Sequence, residues 1–192
     1  MKMDDKAHIV VDMLYDFIDG SMACHNSANA VENSILFINS NPGIPVYYIT
    51  DSHPANHCSF KENGGIWPAH CVKGTHGQKI HEAYYQKVEN KSNSPCLINT
   101  LLKGEDPAKE QYSGFEAIGN AGETLKDYLL QKEVQTVYVS GIATEYCINE
   151  TVTDLQKAGF KVILISKALA YVNETGHKET LEKLKDSGIE II

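Results

Sequence analysis

The sequence predicts an α/β fold in which a mostly parallel, doubly wound central sheet lies between two layers of helices. Two observations predict this three-layer α/β/α arrangement. Short apolar runs rich in β-branched and aromatic residues are typical of buried strands, and helical patterns separate most of them. Strands that alternate with helices form right-handed crossovers and a sheet covered on both faces. A chain of 192 residues has the usual length of one domain, so we expect residues 1–192 to form one.

The elements follow in order along the chain. The predicted strands are Ala7 to Met13, Ile44 to Thr50, Pro95 to Leu102, Gln135 to Gly141, Phe160 to Ser166 and Ile189 to Ile192. The predicted helices are Ser27 to Asn39, a short one near Gln78 to Gln86, Ala121 to Lys132, Thr144 to Ala158 and Thr175 to Asp186. Asn173 and Thr175 are candidate caps of the last helix, and Gly188 lies just past its end.

The segment from His53 to Lys103 fits the alternation least well. It is rich in glycine and proline, so we expect mostly loop. Long loops in compact domains are usually functional or disordered, and the histidines clustered in this one favour function.

Charge and composition exclude several classes of partner. The formal net charge is −8, and all 17 basic residues are lysines. Arginine is the preferred side chain for phosphates and carboxylates, so its absence argues against nucleic acid and favours a small neutral or cationic substrate. The polar start is unlike a signal peptide, and no apolar run spans a membrane. Five cysteines without a CxxC pair indicate free thiols, and we expect a cytoplasmic protein.

Chemistry-bearing side chains follow the predicted strands. In open α/β sheets a ligand binds outside the carboxyl ends of the strands. Asp12 follows the first strand, Asp51 and His53 the second, Lys103 the third, and Gly141 to Cys147 the fourth. The sequence therefore places these residues around one site.

Cys147 lies where the fourth strand passes into a helix. The positive end of a helix dipole favours a thiolate, but lowering a thiol pKa from ~8.5 to ~6 requires about 3.4 kcal/mol, more than a dipole gives. Lys103 is a candidate source of positive charge and Asp12 a candidate base, while free amides of the turn are candidate oxyanion donors. In the alternative, Cys147 is a structural cysteine, Asp12 only caps a turn and Lys103 is a solvated loop residue.

A second group of residues has the composition of a metal site. In an extended chain Asp51 and His53 point the same way, and His70 would complete an Asp/His/His set. His57 is a fourth candidate and Glu62 a weaker fifth. Such a set suits zinc, iron or manganese. Two alternatives remain: a structural zinc site built from the two His-Cys pairs, His57 with Cys58 and His70 with Cys71, and ordinary surface histidines.

Four segments together resemble the nicotinamidases of the isochorismatase-like cysteine hydrolase superfamily. These are Asp12 with Phe17, "DSHPANHCSF" with "WPAHCVKGTHG", "KGEDPAKEQYSGF" and "GIATEYC", so the resemblance covers nearly the whole chain. It implies that Cys147 is the nucleophile, Asp12 the proton carrier and Lys103 the third catalytic residue. It also implies a cis peptide between Ile142 and Ala143, and an oxyanion hole made by the amides of Ala143 and Cys147. Asp51, His53 and His70 match the metal ligands, and His57 is a ligand in only some members.

The reaction implied by this resemblance is hydrolysis of nicotinamide to nicotinate and ammonia through a cysteine thioester. The implied cofactor is a divalent metal, zinc first and iron or manganese otherwise, and the implied substrate contacts are Phe17, Trp67, Tyr112 and Tyr146. Leu14 and Tyr15 stand where the family commonly has Gln and Asn, so we expect the local hydrogen bonding to differ from the family pattern. Alternatives are a related hydrolase acting on another small amide, a carbamoyl compound or isochorismate, and a noncatalytic metal-binding domain. A homo-oligomer is left open.

Overall fold

The computed structural model describes residues 5–192. Its strands are β1 (Lys6–Val11), β2 (Val46–Asp51), β3 (Thr100–Lys103), β4 (Thr136–Gly141), β5 (Lys161–Leu169) and β6 (Glu190–Ile191). Its helices are α1 (Tyr15–Ile18), α2 (Ser27–Ser40), α3 (Ala83–Lys87), α4 (Leu125–Gln131), α5 (Asn149–Lys157) and α6 (Glu174–Asp186). A π-helical turn (Thr144–Ile148) leads directly into α5, and single 3₁₀ turns lie at Lys61–Asn63 and Lys91–Asn93.

All six strands form one parallel sheet in the order β3-β2-β1-β4-β5-β6. The chain winds outward from β1 in one direction through β2 and β3, and in the other through β4, β5 and β6. The order therefore reverses between β1 and β4, which pair from Lys6 with Thr136 to Val11 with Gly141. A ligand crevice is expected at the carboxyl ends of these two strands.

Both faces of the sheet are buried by helices. On one face, a core cluster joins the strands to α4, α5 and α6 through Leu129, Val152 and Leu184. On the other, α2 and α3 pack through residues such as Ile35 and Tyr84. Every residue of β2 is buried, as expected of a strand with no solvent-facing side. The predicted α/β/α class is confirmed.

Local turn chemistry moves several predicted boundaries. β3 begins at Thr100 rather than near Pro95, because Asn99 closes a turn back onto Cys96. α4 begins at Leu125 rather than Ala121, because Thr124 and Asp127 form a capping box. Of the two candidate caps of α6, Asn173 is the one used: its side chain accepts the amide proton of Gly176 at 2.7 Å.

The segment between β2 and β3 is mostly irregular, as predicted, and its one α-helix is the short α3 at Ala83–Lys87, slightly later than expected. All five cysteines are free, but only Cys71 and Cys147 are buried. Within residues 5–192, no helix combines the length and the apolar character that a membrane crossing needs.

His8 gives the fold a testable dependence on pH. Its Nε2 lies 2.8 Å from the Ser140 hydroxyl, which in turn lies 3.0 Å from the Ser34 hydroxyl, and all three residues are buried between β1, β4 and α2. Burial lowers the pKa of His8 to about 3. Below the unfolded pKa of about 6.5, His8 is protonated in the unfolded chain but stays neutral in the folded one. The free energy of unfolding therefore falls as the pH falls below that value.

We expect this effect of His8 to lower the free energy of unfolding by about 2 kcal/mol when the pH falls from 7.5 to 5. Urea unfolding across this pH range measures the slope. The variant His8→Gln should show a shallower slope, whatever its stability at pH 7.5. An identical slope in His8→Gln would contradict the assignment.

Candidate active site

Three charged side chains meet at the carboxyl ends of neighbouring strands. Each belongs to the last residue of a strand or to the residue that follows it. Asp51 and Lys103 are the last residues of β2 and β3 and pair directly across the sheet. Asp12 follows β1 with a positive φ of 51°, an uncommon conformation for a residue other than glycine. This turn brings the Asp12 carboxylate to the amide of Asp51, which donates to Asp12 Oδ1 at 3.0 Å.

The Lys103 ammonium is the centre of the site. Its Nζ lies 2.9 Å from Asp12 Oδ2, 2.5 Å from Asp51 Oδ1 and 3.5 Å from the Cys147 sulfur. Lys103 is 1% exposed. A buried ammonium is stable only when paired, and here two carboxylates provide the pairing.

Burial and the three charges set the ionisation of the site. Burial raises the pKa of Asp12 to about 6, and the Asp51 charge adds to the rise while Lys103 opposes it. Burial also acts against ionised Asp51, but Lys103 and His53 outweigh it and hold the pKa of Asp51 well below its usual range. Burial acts against charged Lys103 as well, yet Asp12 and Asp51 raise its pKa. Asp12 is therefore the carboxylate with the higher proton affinity.

Cys147 is buried in the π-helical turn after β4. The expectation that this position favours a thiolate is not met. Burial raises the pKa of the thiol well above its usual range; Lys103 opposes the rise, and the charges of Asp12 and Asp51 add to it. The resting sulfur is therefore a neutral thiol that needs a base. Asp12, Asp51 and Cys147 each offer a polar atom within 4.8 Å of the others, so Asp12 is within reach of that role.

The turn before Cys147 begins with an unusual peptide, since the bond between Ile142 and Ala143 is cis. The amides of Tyr146 and Ile148 both donate to the Ala143 carbonyl, at 3.1 Å each. Among the backbone hydrogen bonds that residues 5–192 make outside their helices and strands, the amide of Ala143 has no acceptor. Ala143 and Cys147 both line the pocket.

Gly141 allows the strand to approach β1 at this point. Its φ is 142°, and an added Cβ would lie 2.1 Å from the carbonyl oxygen of Val11. No other residue type fits between β4 and β1 here, so this glycine allows the turn that carries Cys147 to lie close to Asp12.

Asp51, His53 and His70 form a buried set whose ligand atoms lie within 4.8 Å of one another. The Nδ1–H of His53 donates to the Gly104 carbonyl at 2.9 Å, and that of His70 donates to the Pro68 carbonyl at 2.8 Å. A carbonyl can only accept, so Nδ1 carries the proton in both rings and each Nε2 is left with a lone pair. Backbone carbonyls orient metal-binding histidines in this way, so the residues fit a divalent ion.

The same surroundings shift the pKa values of His53 and His70. Burial lowers the pKa of His70, which favours the neutral form that binds metals. Burial acts in the same direction on His53, but hydrogen bonding to Asp51 and the charge of Asp51 raise its pKa. Protonation of His53 therefore competes with metal binding at its Nε2.

The remaining candidate ligands lie outside this set. His57 is adjacent, with its ring 4.2 Å from that of His53, but its Nδ1 lies 2.7 Å from the Ser59 hydroxyl and its Nε2 lies 3.2 Å from the Lys109 carbonyl. Glu62 is exposed on a 3₁₀ turn. In the part of the chain that the structure describes, the two His-Cys pairs do not form the structural zinc cluster weighed above.

A pocket connects the Asp51, His53 and His70 set, called the metal set below, with the Cys147 thiol. It holds about 430 Å³ of empty space, part of which is open to solvent. The predicted substrate contacts all line it: Phe17, Trp67, Tyr112 and Tyr146. The Trp67 indole N–H donates to the Tyr112 hydroxyl at 3.0 Å, and the Trp67 ring meets that of Tyr146 edge to face at 5.1 Å. An aromatic pocket with few polar groups suits a flat, uncharged ring.

The two residues that depart from the family pattern, Leu14 and Tyr15, make packing contacts. Leu14 is fully buried and forms a bridge with Ile80. Tyr15 packs against His76, with ring centroids 4.0 Å apart. Backbone groups make the local hydrogen bonds, because the Tyr15 amide donates to the Lys79 carbonyl at 3.1 Å. The Tyr15 amide is therefore paired without a side chain at this position.

Several positioning residues escape sequence analysis. Asp16 accepts the Cys71 amide proton at 2.7 Å and so holds the backbone next to His70 in place. Glu145 accepts the amide protons of Val172 and Asn173, which connects the π-helical turn to the loop before α6. Neither contact is local in sequence, so no spacing signal predicts it. Gly104 was detectable in principle, since it directly follows Lys103.

Gly104 provides a sharp test of the metal set. Its φ is 71°, and an added Cβ would lie 2.4 Å from His53 Cε1. The variant Gly104→Ala should displace the ring and weaken zinc affinity about tenfold or more, measured by competition with a chelator. Gly122→Ala is the matched control, because Gly122 has a φ of 93° and open space around it. Equal zinc affinity in both variants would show that the ring position does not matter.

Comparison with known proteins gives a consistent result. The isochorismatase domain family matches residues 6–192. A nicotinamidase of Escherichia coli (strain K12) is 30% identical over 190 residues, which cover 89% of this chain and 85% of the relative. A pyrazinamidase of Pyrococcus horikoshii, solved in complex with zinc, is 33% identical, with a TM-score of 0.84 over 98% of each chain. PnC1 of L. infantum, solved in complex with nicotinate, is 28% identical, with a TM-score of 0.81 over 100% of this chain and 94% of that one. The chain belongs to the isochorismatase family.

Proposed function

We propose that the whole chain is a metal-dependent amidase that hydrolyses nicotinamide to nicotinate and ammonia through a thioester on Cys147. The observation that carries the proposal is the contact of the Lys103 ammonium with Asp12, Asp51 and the Cys147 sulfur, beside a metal-competent set and under an aromatic pocket. The relatives named above support the choice of substrate, since they include a nicotinamidase and a complex with nicotinate.

The chain's own residues account for the first half of the reaction. Asp12 takes the proton of the Cys147 thiol, and the sulfur attacks the carboxamide carbon. The negative charge that develops on the carboxamide oxygen is stabilised by the amides of Ala143 and Cys147. When the carbon–nitrogen bond breaks, Asp12 gives its proton to the leaving nitrogen, which departs as ammonia.

Hydrolysis of the thioester completes the cycle. Asp12, again a carboxylate, takes a proton from a water molecule, whose oxygen attacks the thioester carbon. The carbon–sulfur bond then breaks and the sulfur regains a proton from Asp12. The product acid releases its own proton to water and leaves as nicotinate. Lys103 remains charged throughout and stabilises whichever neighbour carries the negative charge.

Asp51, His53 and His70 would hold a divalent ion at the end of the pocket, with zinc as the first choice because the P. horikoshii relative contains it. Bound there, the ion would supply Lewis-acid affinity for the pyridine nitrogen and so orient the ring. Phe17 lies beside this set, with its ring 5.5 Å from that of His70, and provides an apolar surface for the ring.

Ammonia release tests the proposal. Metal-loaded protein should release one ammonia per nicotinate formed, and the product should be identified by chromatography. Benzamide is the matched control substrate, since it has the same shape without the ring nitrogen and should be hydrolysed more slowly. If metal-loaded protein fails to turn over nicotinamide but hydrolyses an unrelated small amide or a carbamoyl compound, the family assignment stands and the substrate assignment is wrong.

A further inference from the structure

Two overlapping sets of metal-ligating atoms lie side by side in the site. The first is Asp51, His53 and His70. The second is Asp12, Asp51 and Cys147, whose ligand atoms also lie within 4.8 Å of one another. Both sets are buried and share the Asp51 carboxylate. A metal ion delivered to the first set therefore arrives next to a cysteine sulfur.

Once its thiol proton is lost, Cys147 makes the second set attractive to a borderline-soft ion. A thiolate is a strong zinc ligand, and zinc holds sulfur at about 2.3 Å and carboxylate oxygen at about 2 Å. Three atoms already within 4.8 Å of one another need only small movements to reach those distances. Zinc on the sulfur would block its attack on a carboxamide, so a metal-dependent cysteine hydrolase has to prevent this binding.

The Lys103 ammonium occupies the centre of the second set. Its Nζ is in contact with all three members, at 2.9 Å from Asp12, 2.5 Å from Asp51 and 3.5 Å from Cys147. The fourth neighbour is the Gln111 carbonyl oxygen, at 3.4 Å. The side chain has no exposed surface, so the ammonium cannot swing out into solvent.

Lys103 also separates the two oxygens of the shared carboxylate. Asp51 Oδ1 is bound to Lys103, whereas Oδ2 lies 3.5 Å from His53 Nε2, on the side of the first set. One oxygen is therefore assigned to the lysine and the other to the metal. A divalent ion in the second set would have to displace a paired ammonium and would meet its positive charge at close range.

We propose that Lys103 is the residue that excludes the metal from the nucleophile, by filling the Asp12/Asp51/Cys147 set with its own cation. This inference rests on the metal centre of the proposed function. Lys103 thereby lets one carboxylate serve two neighbouring sites. Without it, the Cys147 thiol would lose its proton to solvent and bind the ion.

Cobalt(II) provides the test, because a bound sulfur gives a near-ultraviolet charge-transfer band that nitrogen and oxygen ligands do not give. The wild type should bind one cobalt without this band. Lys103→Leu should bind cobalt with the band, and the band should disappear in Lys103→Leu/Cys147→Ser but remain in Lys103→Leu/Cys71→Ser. Lys73→Met is the charge control, since Lys73 is an exposed lysine paired with Glu105, and it should behave as the wild type.

A second measurement needs no variant, in case Lys103→Leu does not fold. One equivalent of zinc should not slow alkylation of Cys147 in the wild type, whereas a zinc-bound thiolate would be protected about tenfold or more. Protection, a charge-transfer band in the wild type, or a folded Lys103→Leu that binds cobalt without the band would each overturn the exclusion role. Nicotinamide turnover by the wild type is measured separately and decides the proposed function on its own. A wild type that binds no cobalt at all would instead remove the proposed metal centre, and this inference with it.

Discussion

Replacing Cys147 with serine is expected to lower kcat/KM for nicotinamide by about 10⁴-fold or more. The hydroxyl is a poorer nucleophile than the thiol and has a much higher pKa, so a base as weak as Asp12 cannot activate it. The side chain is buried and nearly isosteric, so the fold should be retained. Steady-state ammonia release measures the loss, and mass spectrometry after rapid quenching should detect an acylated protein only in the wild type.

Cys24→Ser is the matched control. Cys24 lines the same pocket, and its thiol donates to the Met22 carbonyl at 3.4 Å, a role that a serine hydroxyl can also fill. This variant should keep its activity within a few-fold of the wild type. If Cys147→Ser retained activity while Cys24→Ser lost it, the nucleophile would be assigned to the wrong cysteine.

The second large effect is expected from Asp12→Asn, which should lower kcat for nicotinamide by about 10³-fold. The amide keeps the size of the carboxylate and an oxygen that can accept the Asp51 amide proton, but it cannot take the thiol proton. Because burial raises the pKa of the Cys147 thiol, the resting sulfur does not ionise without this base. The variant should also be alkylated more slowly at Cys147, which gives a readout independent of substrate.

Glu105→Gln controls for the loss of a negative charge near the site. Glu105 follows the Lys103-Gly104 pair, but it is partly exposed and pairs with Lys73 on the surface. We expect near wild-type kcat and an unchanged alkylation rate. An Asp12→Asn protein with a wild-type alkylation rate would show that another group accepts the thiol proton.

The sequence by itself determined the fold class and the place of the site. β-branched runs separated by helical patterns are sufficient to predict a parallel sheet, because the spacing of apolar residues within each segment indicates whether that segment is a strand or a helix. The order of the strands then brings Asp12 after β1 and Cys147 after β4 to the point where the winding reverses. The boundaries of β3 and α4 were less predictable, because Asn99 and Thr124 set them through specific turn contacts.

The electrostatics of the site were decided only by the tertiary structure. A position in the first turn of a helix predicts a lowered thiol pKa for Cys147, yet burial beside Asp12 and Asp51 raises it. The sequence likewise leaves His57 open as a further ligand, and only the structure shows that its ring nitrogens contact Ser59 and Lys109.

The residues that position the site were also identified only by the tertiary structure. Asp16, Gly104 and Glu145 act through residues that are distant in sequence or through backbone geometry, and no periodic pattern encodes such contacts. Local patterns specify which segments are buried and where they end. The charge that a buried group carries depends on neighbours that only the assembled sheet brings within a few ångströms, because burial and Coulomb energy depend on distance in space and not on separation along the chain.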